Sequence, residues 1–147
     1  IYVPATRRLY WGEAGKGAFT AEVDADTLQP QQAQQLPLPG ATQNRSFRVV
    51  ASRSHLSAET QEFIDRLKAA HGEVDTVSAG SSLKLCLVAE GKADVYPRLA
   101  PTMEWDTAAG HAIARAAGCT VMQAGTTEPL HYNKENLLNP FFVVSRS

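Results

Sequence analysis

Charge of one sign is missing from this sequence: 14 Lys and Arg stand against 15 Asp and Glu, a formal charge of −1. Without a basic surplus there is no general attraction to a nucleic-acid polymer, so any anion site has to be built locally. Cysteine is equally scarce, with only Cys86 and Cys119 among 147 residues. Neither has a Cys or His at metal-binding spacing, which excludes a disulfide scaffold or a zinc site. Two buried free thiols in a reducing, cytoplasmic compartment are expected. No apolar run approaches the roughly 18 residues needed to cross a bilayer, and nothing reads as a signal peptide. Peripheral attachment to the inner face of the cell membrane stays open. Glycine does cluster at Gly12, Gly15 and Gly17. That stretch lacks a Gly-Lys-Ser/Thr ending and no helix follows it, so it does not read as a phosphate loop.

What is present is the composition of a globular domain, 44% hydrophobic and 20% charged, long enough to bury a core without staples. The chain opens on Ile1-Tyr2-Val3-Pro4. These residues read as a strand already under way, as in a truncated or cleaved protein. With Leu9-Tyr10-Trp11 and a turn at Pro4-Ala5-Thr6 they predict a β-hairpin over residues 1–20. Its exposed edge invites dimerisation. Residues 27–46 are rich in Gln and Pro and read as an exposed connection. They divide the chain into a remnant of one domain, residues 1–46, and an α/β domain, residues 47–147.

Beyond residue 47 strands and helices alternate. Strands are predicted at 47–51, 74–77, 93–96, 120–122 and 141–144. Helices are predicted at 57–71, from Ser81 or Ser82 to Glu90, and at 102–117. Ser57 and Thr102 supply caps, and Gly91 and Gly118 supply stops. This alternation predicts an α/β fold, a mixed sheet flanked by helices. Residues 125–140 form a loop long enough to be functional.

Ligands of open α/β sheets gather at the carboxyl ends of strands, where helices begin. Three junctions here share one chemistry: Ala51-Ser52-Arg53-Ser54-His55-Leu56-Ser57, Ser78-Ala79-Gly80-Ser81-Ser82-Leu83-Lys84, and Tyr96-Pro97-Arg98 through Thr102 to Asp106. Each offers hydroxyls and a cationic or titratable side chain near the positive end of a helix. Lys84 adds a mobile charge and Arg98 a planar fork suited to phosphate. Singly, Ser57, Ser81 and Thr102 are ordinary caps, Arg98 a solvated charge and His55 a surface or core histidine; the repetition is what points to a phosphorylated ligand. Asp106 is favoured by the helix dipole even without a ligand. Ala108, Ala109 and Gly110 follow it, and their small size would let a metal and a phosphate approach the helix. One carboxylate beside phosphate oxygens is how magnesium is held.

Trp105-Asp106-Thr107-Ala108-Ala109-Gly110 resembles the second signature of the lithium-sensitive, magnesium-dependent phosphatase superfamily. That superfamily contains inositol monophosphatases, fructose bisphosphatases and 3′(2′),5′-bisphosphate nucleotidases. Gly80-Ser81-Ser82-Leu83-Lys84, the run from Ala89 to Arg98, Leu137-Leu138-Asn139-Pro140-Phe141 and the opening hairpin fit the same pattern, so the resemblance covers nearly the whole chain. It implies the C-terminal domain of the inositol monophosphatase/fructose bisphosphatase-like fold, preceded by a hairpin left from the N-terminal sheet. Lys84 makes the sequence most similar to the bisphosphate nucleotidase branch of bacterial sulfur assimilation, which converts adenosine 3′,5′-bisphosphate to AMP and phosphate.

The resemblance implies that Asp106 is a catalytic residue holding Mg2+ and facing the scissile phosphate. It implies that Ser81, Lys84, Arg98 and Asp106 bind the nucleotide, with His55 near its base or ribose. The superfamily's first signature, Asp-Pro-x-Asp-Gly-Thr, is absent, as is the upstream glutamate of the metal site. The expectation is therefore an inactive fragment of a metal-dependent hydrolase. An inositol-phosphate phosphatase and a non-catalytic nucleotide- or anion-binding module are the alternatives.

Overall fold

The computed structural model describes residues 1–51 and 56–146. The first four strands are β1 (Tyr2–Val3), β2 (Arg8–Glu13), β3 (Gly17–Val23) and β4 (Pro30–Gln35). They form an antiparallel sheet in the order β1-β2-β3-β4. The expected turn after Val3 is a single turn of 3-10 helix, Pro4–Thr6, begun by the fixed φ of Pro4 and closed by Arg7 at φ 50°. Gly15 and Gly17, at φ 77° and 98°, make the tight connection between β2 and β3.

β4 corrects the sequence reading, which took residues 27–46 as a connection. The six residues are exposed, as expected, and their Gln-rich composition carries little strand preference. Backbone pairing decides instead: Gln35 lies opposite Phe19 and Pro30 opposite Val23. Leu36, the next residue, is buried and holds the strand end down.

The second sheet contains β5 (Phe47–Val50), β6 (Val74–Val77), β7 (Val95–Arg98), β8 (Cys119–Gln123) and β9 (Phe142–Arg146), in the order β6-β5-β7-β9-β8. β5 runs parallel to β6 and β7, whereas β9 is antiparallel to both its neighbours. The sheet is therefore mixed, as expected. β7 begins two residues later than the sequence suggests. Asp94 is held by Arg45, at 2.6 and 2.9 Å, and by the Arg48 N–H at 2.7 Å, so residues 91–94 turn before the strand starts.

Three helices cover this sheet. α1 (Ala58–His71) starts where predicted, with Ser57 Oγ accepting the Thr60 N–H. It lays Ile64, Phe63 and Leu67 against Val49 and Val95. α2 (Leu83–Glu90) stops at Gly91, in the left-handed region. α3 (Glu104–Ala116) begins two residues after the predicted Thr102. The carboxylate of Asp106 accepts the Met103 N–H at 2.8 Å, so the helix is capped from inside its first turn rather than by the Thr102 hydroxyl.

α2 and α3 lie between the two sheets. On one side Leu85, Val88 and Ala114 meet Tyr96, Val121, Phe142 and Val144. On the other, Cys86, Ala89, Ile113 and Ala117 meet Tyr10, Ala18 and Leu36. The fully buried Glu90 accepts the Tyr10 hydroxyl at 2.9 Å and meets the Lys92 ammonium at 2.8 Å. Cys86 and Cys119 are free and buried. Burial pushes the Cys86 thiol up to about 12, so it is packing rather than a nucleophile. Among the described residues no helix is long and apolar enough to cross a membrane.

Gly110 also departs from expectation. A Cβ there would sit 3.1 Å from Leu85 Cβ. Its small size serves the contact between α3 and α2, not the approach of a ligand. Gly110→Val is expected to destabilise the fold by about 1–3 kcal/mol through overpacking, read by urea denaturation. An unchanged midpoint would return Gly110 to a ligand-facing role.

Candidate active site

The contact at Gly110 brings the N-termini of α2 and α3 together beside the end of β7. A cavity of about 290 Å³ opens there. Ser81, Ser82 and Lys84 come to it from the start of α2, Tyr96 and Arg98 from β7, and Thr102, Asp106 and Thr107 from the start of α3. Ser81, Lys84, Arg98 and Asp106, separate in sequence, thus line one cavity. His55 lies outside the described residues, as do Ser52, Arg53 and Ser54 of the first junction.

The ordinary capping role does not account for the serines. Ser82 occupies the cap position of α2, yet its hydroxyl caps no backbone N–H. Ser81 holds a left-handed backbone at φ 45°, a conformation that costs a non-glycine residue about 1–2 kcal/mol. Such strain collects at functional sites.

The two cations are held from different sides. Arg98 donates through Nη2 to the Pro101 carbonyl at 3.1 Å. Its buried Nε has no acceptor among the described residues, and an unpaired guanidinium N–H is a demand for an anion. Lys84 Nζ lies 5.8 Å from the centre of the Tyr96 ring. Partial burial, and secondarily the Arg98 charge, lowers the Lys84 pKa from the ordinary lysine value. Lys84, Tyr96 and Arg98 also line a second, smaller cavity of about 70 Å³, together with Ser57 and Thr60. The cations therefore stand in a wall shared by two adjoining spaces.

Asp106 is exposed, and it spends one oxygen, Oδ2, on Met103. Oδ1 makes no hydrogen bond among the described residues. Hard cations take such carboxylate oxygens, and magnesium needs few of them when phosphate and water complete its shell. Among the described residues no group of three or more His, Cys, Asp or Glu gathers to hold a metal alone. Asp106 thus fits as one ligand and no more. Sequence reading missed Tyr96 and Thr107. Tyr96 reads as a core residue of its strand, and Thr107 sits inside the quoted motif but was overshadowed by Asp106.

A cavity at the strand ends, with two cations facing a carboxylate, suits phosphate ester chemistry, and comparison with known proteins places the chain in a corresponding class. It belongs to the inositol monophosphatase family, whose model matches residues 1–141. The particular relatives are phosphatases. The chain is 44% identical over 146 residues to the 3′(2′),5′-bisphosphate nucleotidase CysQ of Shigella flexneri, covering 99% of this chain and 53% of that protein. It is 55% identical over 98 residues to the CysQ of Escherichia coli K12, covering 66% of this chain and 38% of that one. The crystal structure of CysQ from Bacteroides thetaiotaomicron, a bacterial member of the family, superimposes with a TM-score of 0.87 at 54% identity. That match covers 99% of this chain and 57% of that one. The chain spans about half the length of the full curated relatives it matches.

The depressed pKa of Lys84 gives a pH dependence of definite sign. In the window below about 10.5, the folded lysine loses its proton while the unfolded one keeps it. Bare stability therefore rises with pH there, but anion binding falls. Binding of a simple phosphate monoester such as phenyl phosphate, dianionic above its second pKa of about 6, should weaken as pH rises from about 7 to 10. Lys84→Arg should flatten that fall. Calorimetric titration across the range checks it, and an equal fall in both proteins removes Lys84 from the anion site.

Proposed function

We propose that this chain is the C-terminal part of a magnesium-dependent 3′(2′),5′-bisphosphate nucleotidase. The whole protein would remove the 3′-phosphate of adenosine 3′,5′-bisphosphate, giving AMP and phosphate in sulfur assimilation. Residues 1–46 would belong to its N-terminal domain and residues 47–147 to its C-terminal domain. The observation that carries this reading is the cavity shared by Ser81, Lys84, Arg98 and Asp106. The second space beyond Lys84 and Arg98 supports a ligand with two phosphates. Trp105, the residue before Asp106, is 67% exposed, and Leu138, also exposed, bridges to Met103 at the start of the same helix. Large apolar groups in that position support another part of the protein closing over the site.

Each residue has a separable task. Asp106 lines the cavity, and its Oδ1, which makes no hydrogen bond among the described residues, would contribute one ligand to magnesium. When bound, magnesium supplies neutralisation of phosphate charge and acidification of water. Arg98 offers to a phosphate oxygen its Nε–H, which has no acceptor among the described residues, and Ser81 offers a hydroxyl at the start of α2. Lys84 lies where it can answer the charge of the second phosphate, and His55 is assigned to the base or ribose.

In the full-length gene product, phosphate release from adenosine 3′,5′-bisphosphate should require Mg2+ and exceed release from inositol monophosphate. The reverse preference would overturn the substrate assignment. Asp106→Asn should lower turnover by more than the roughly hundredfold that a lost outer-shell partner costs. Lys84→Ala should raise KM about tenfold or more, the worth of one charge-assisted hydrogen bond, with kcat little changed. The 147-residue chain alone should show no turnover, and robust hydrolysis by it would contradict the half-site reading.

A further inference from the structure

Helix α3 starts without an ordinary cap. Its cap residue is Met103, whose thioether is a weak acceptor. The first turn is closed instead by Asp106, which reaches back to the Met103 N–H at 2.8 Å. The carboxylate that would bind a metal through Oδ1 is thus also the group that closes the helix through Oδ2, so any shift of this turn carries the metal's oxygen with it. Something else has to hold the turn.

That hold comes from Asn139, which is 4% exposed. Its backbone N–H donates to the Thr102 carbonyl at 2.9 Å. Its side-chain Nδ2 lies 2.9 Å from the Met103 carbonyl, 3.0 Å from Thr107 Oγ1 and 3.3 Å from Thr102 Oγ1. The Met103 carbonyl can only accept, so the orientation of the amide is fixed by chemistry. The two groups on either side of Asp106, the peptide of Met103 and the hydroxyl of Thr107, therefore hang on one buried amide. Nearby contacts tie the same loop down: Leu138 bridges to Met103, and the Leu137 carbonyl accepts the Glu104 N–H at 3.0 Å. Glu104 in turn accepts the N–H of Asn133 at 2.7 Å and pairs with the Lys134 ammonium.

We infer that Asn139 is a positioning residue for Asp106: it holds the first turn of α3 so that the free oxygen of Asp106 stays presented to the metal. The inference rests on the reading of Asp106 as a metal ligand. It concerns metal affinity, not fold stability alone. Outer-shell partners of metal ligands typically set affinity within about ten- to a hundredfold.

The test uses the full-length gene product and isothermal titration with Mg2+, alongside the Mg2+ concentration for half-maximal turnover. Asn139→Ala should weaken Mg2+ binding about ten- to a hundredfold. The half-maximal concentration should move in step, and kcat should recover at saturating Mg2+. If that variant does not fold, the isosteric Thr107→Val, which removes one anchor of the amide, should shift affinity the same way by less. Asp106→Asn separates the two claims. Unchanged Mg2+ affinity in Asp106→Asn overturns the ligand reading and the inference with it. Weakened affinity in Asp106→Asn but wild-type affinity in the Asn139 and Thr107 variants overturns the positioning role alone, even where their melting temperatures fall.

Discussion

The packing of α2 against α3 is the constraint on which the rest of the structure depends. Both helices are apolar on two sides because each is covered by two sheets. Their close approach requires Gly110, against which Leu85 packs without room for a Cβ. Gly12 plays the matching part on the other side, where an added Cβ would lie 3.0 Å from Ala116. Side by side, the two helices present their N-termini to the end of β7. There Ser81, Lys84, Arg98 and Asp106 meet although they are spread over residues 81–106. The site is a by-product of core packing, and a change in the helix contact would move its walls.

The electrostatics of the site are unbalanced in a way that the fold does not relieve. Arg98 has a buried donor without an acceptor among the described residues, and Lys84 carries a charge that burial disfavours. Asp106 keeps Oδ1 without a hydrogen bond among the described residues. Among the described residues no ion pair joins Asp106 to Lys84 or Arg98, although all three line one cavity. Their separation is what a ligand carrying negative charge, with a cation between it and Asp106, would resolve. One carboxylate does not make a metal centre, and this chain covers 53% of the Shigella flexneri CysQ that it matches.

Much of this was legible in the residues themselves. Ser57 followed by an apolar period marked α1, and Gly91 marked the end of α2, because caps and stops are local physics. The strand–helix alternation gave the mixed sheet, and the hydroxyl-and-cation pattern at helix starts gave the cavity lining. Long-range pairing was not legible. β4 is a strand only because β3 lies beside it, and its glutamines give no sign of that. Gly110 looked like room for a ligand until Leu85 was seen to fill the room. The start of α3 was misplaced because Thr102 looked like a cap, whereas its hydroxyl faces Asn139 from 37 residues away in sequence. Asn139 itself gave no local signal, since the loop that carries it is ordered by contacts rather than by its own pattern.

The central claim is that Ser81, Lys84, Arg98 and Asp106 form one half of a nucleotide-phosphate site. Titrating the 15N-labelled 147-residue chain with adenosine 3′,5′-bisphosphate, and following its backbone amide resonances, tests it most directly. Weak, saturable shifts confined to the starts of α2 and α3 and the end of β7, enlarged by Mg2+, are the predicted result. Shifts centred elsewhere, such as on residues 22–32, or none at millimolar nucleotide, would contradict it.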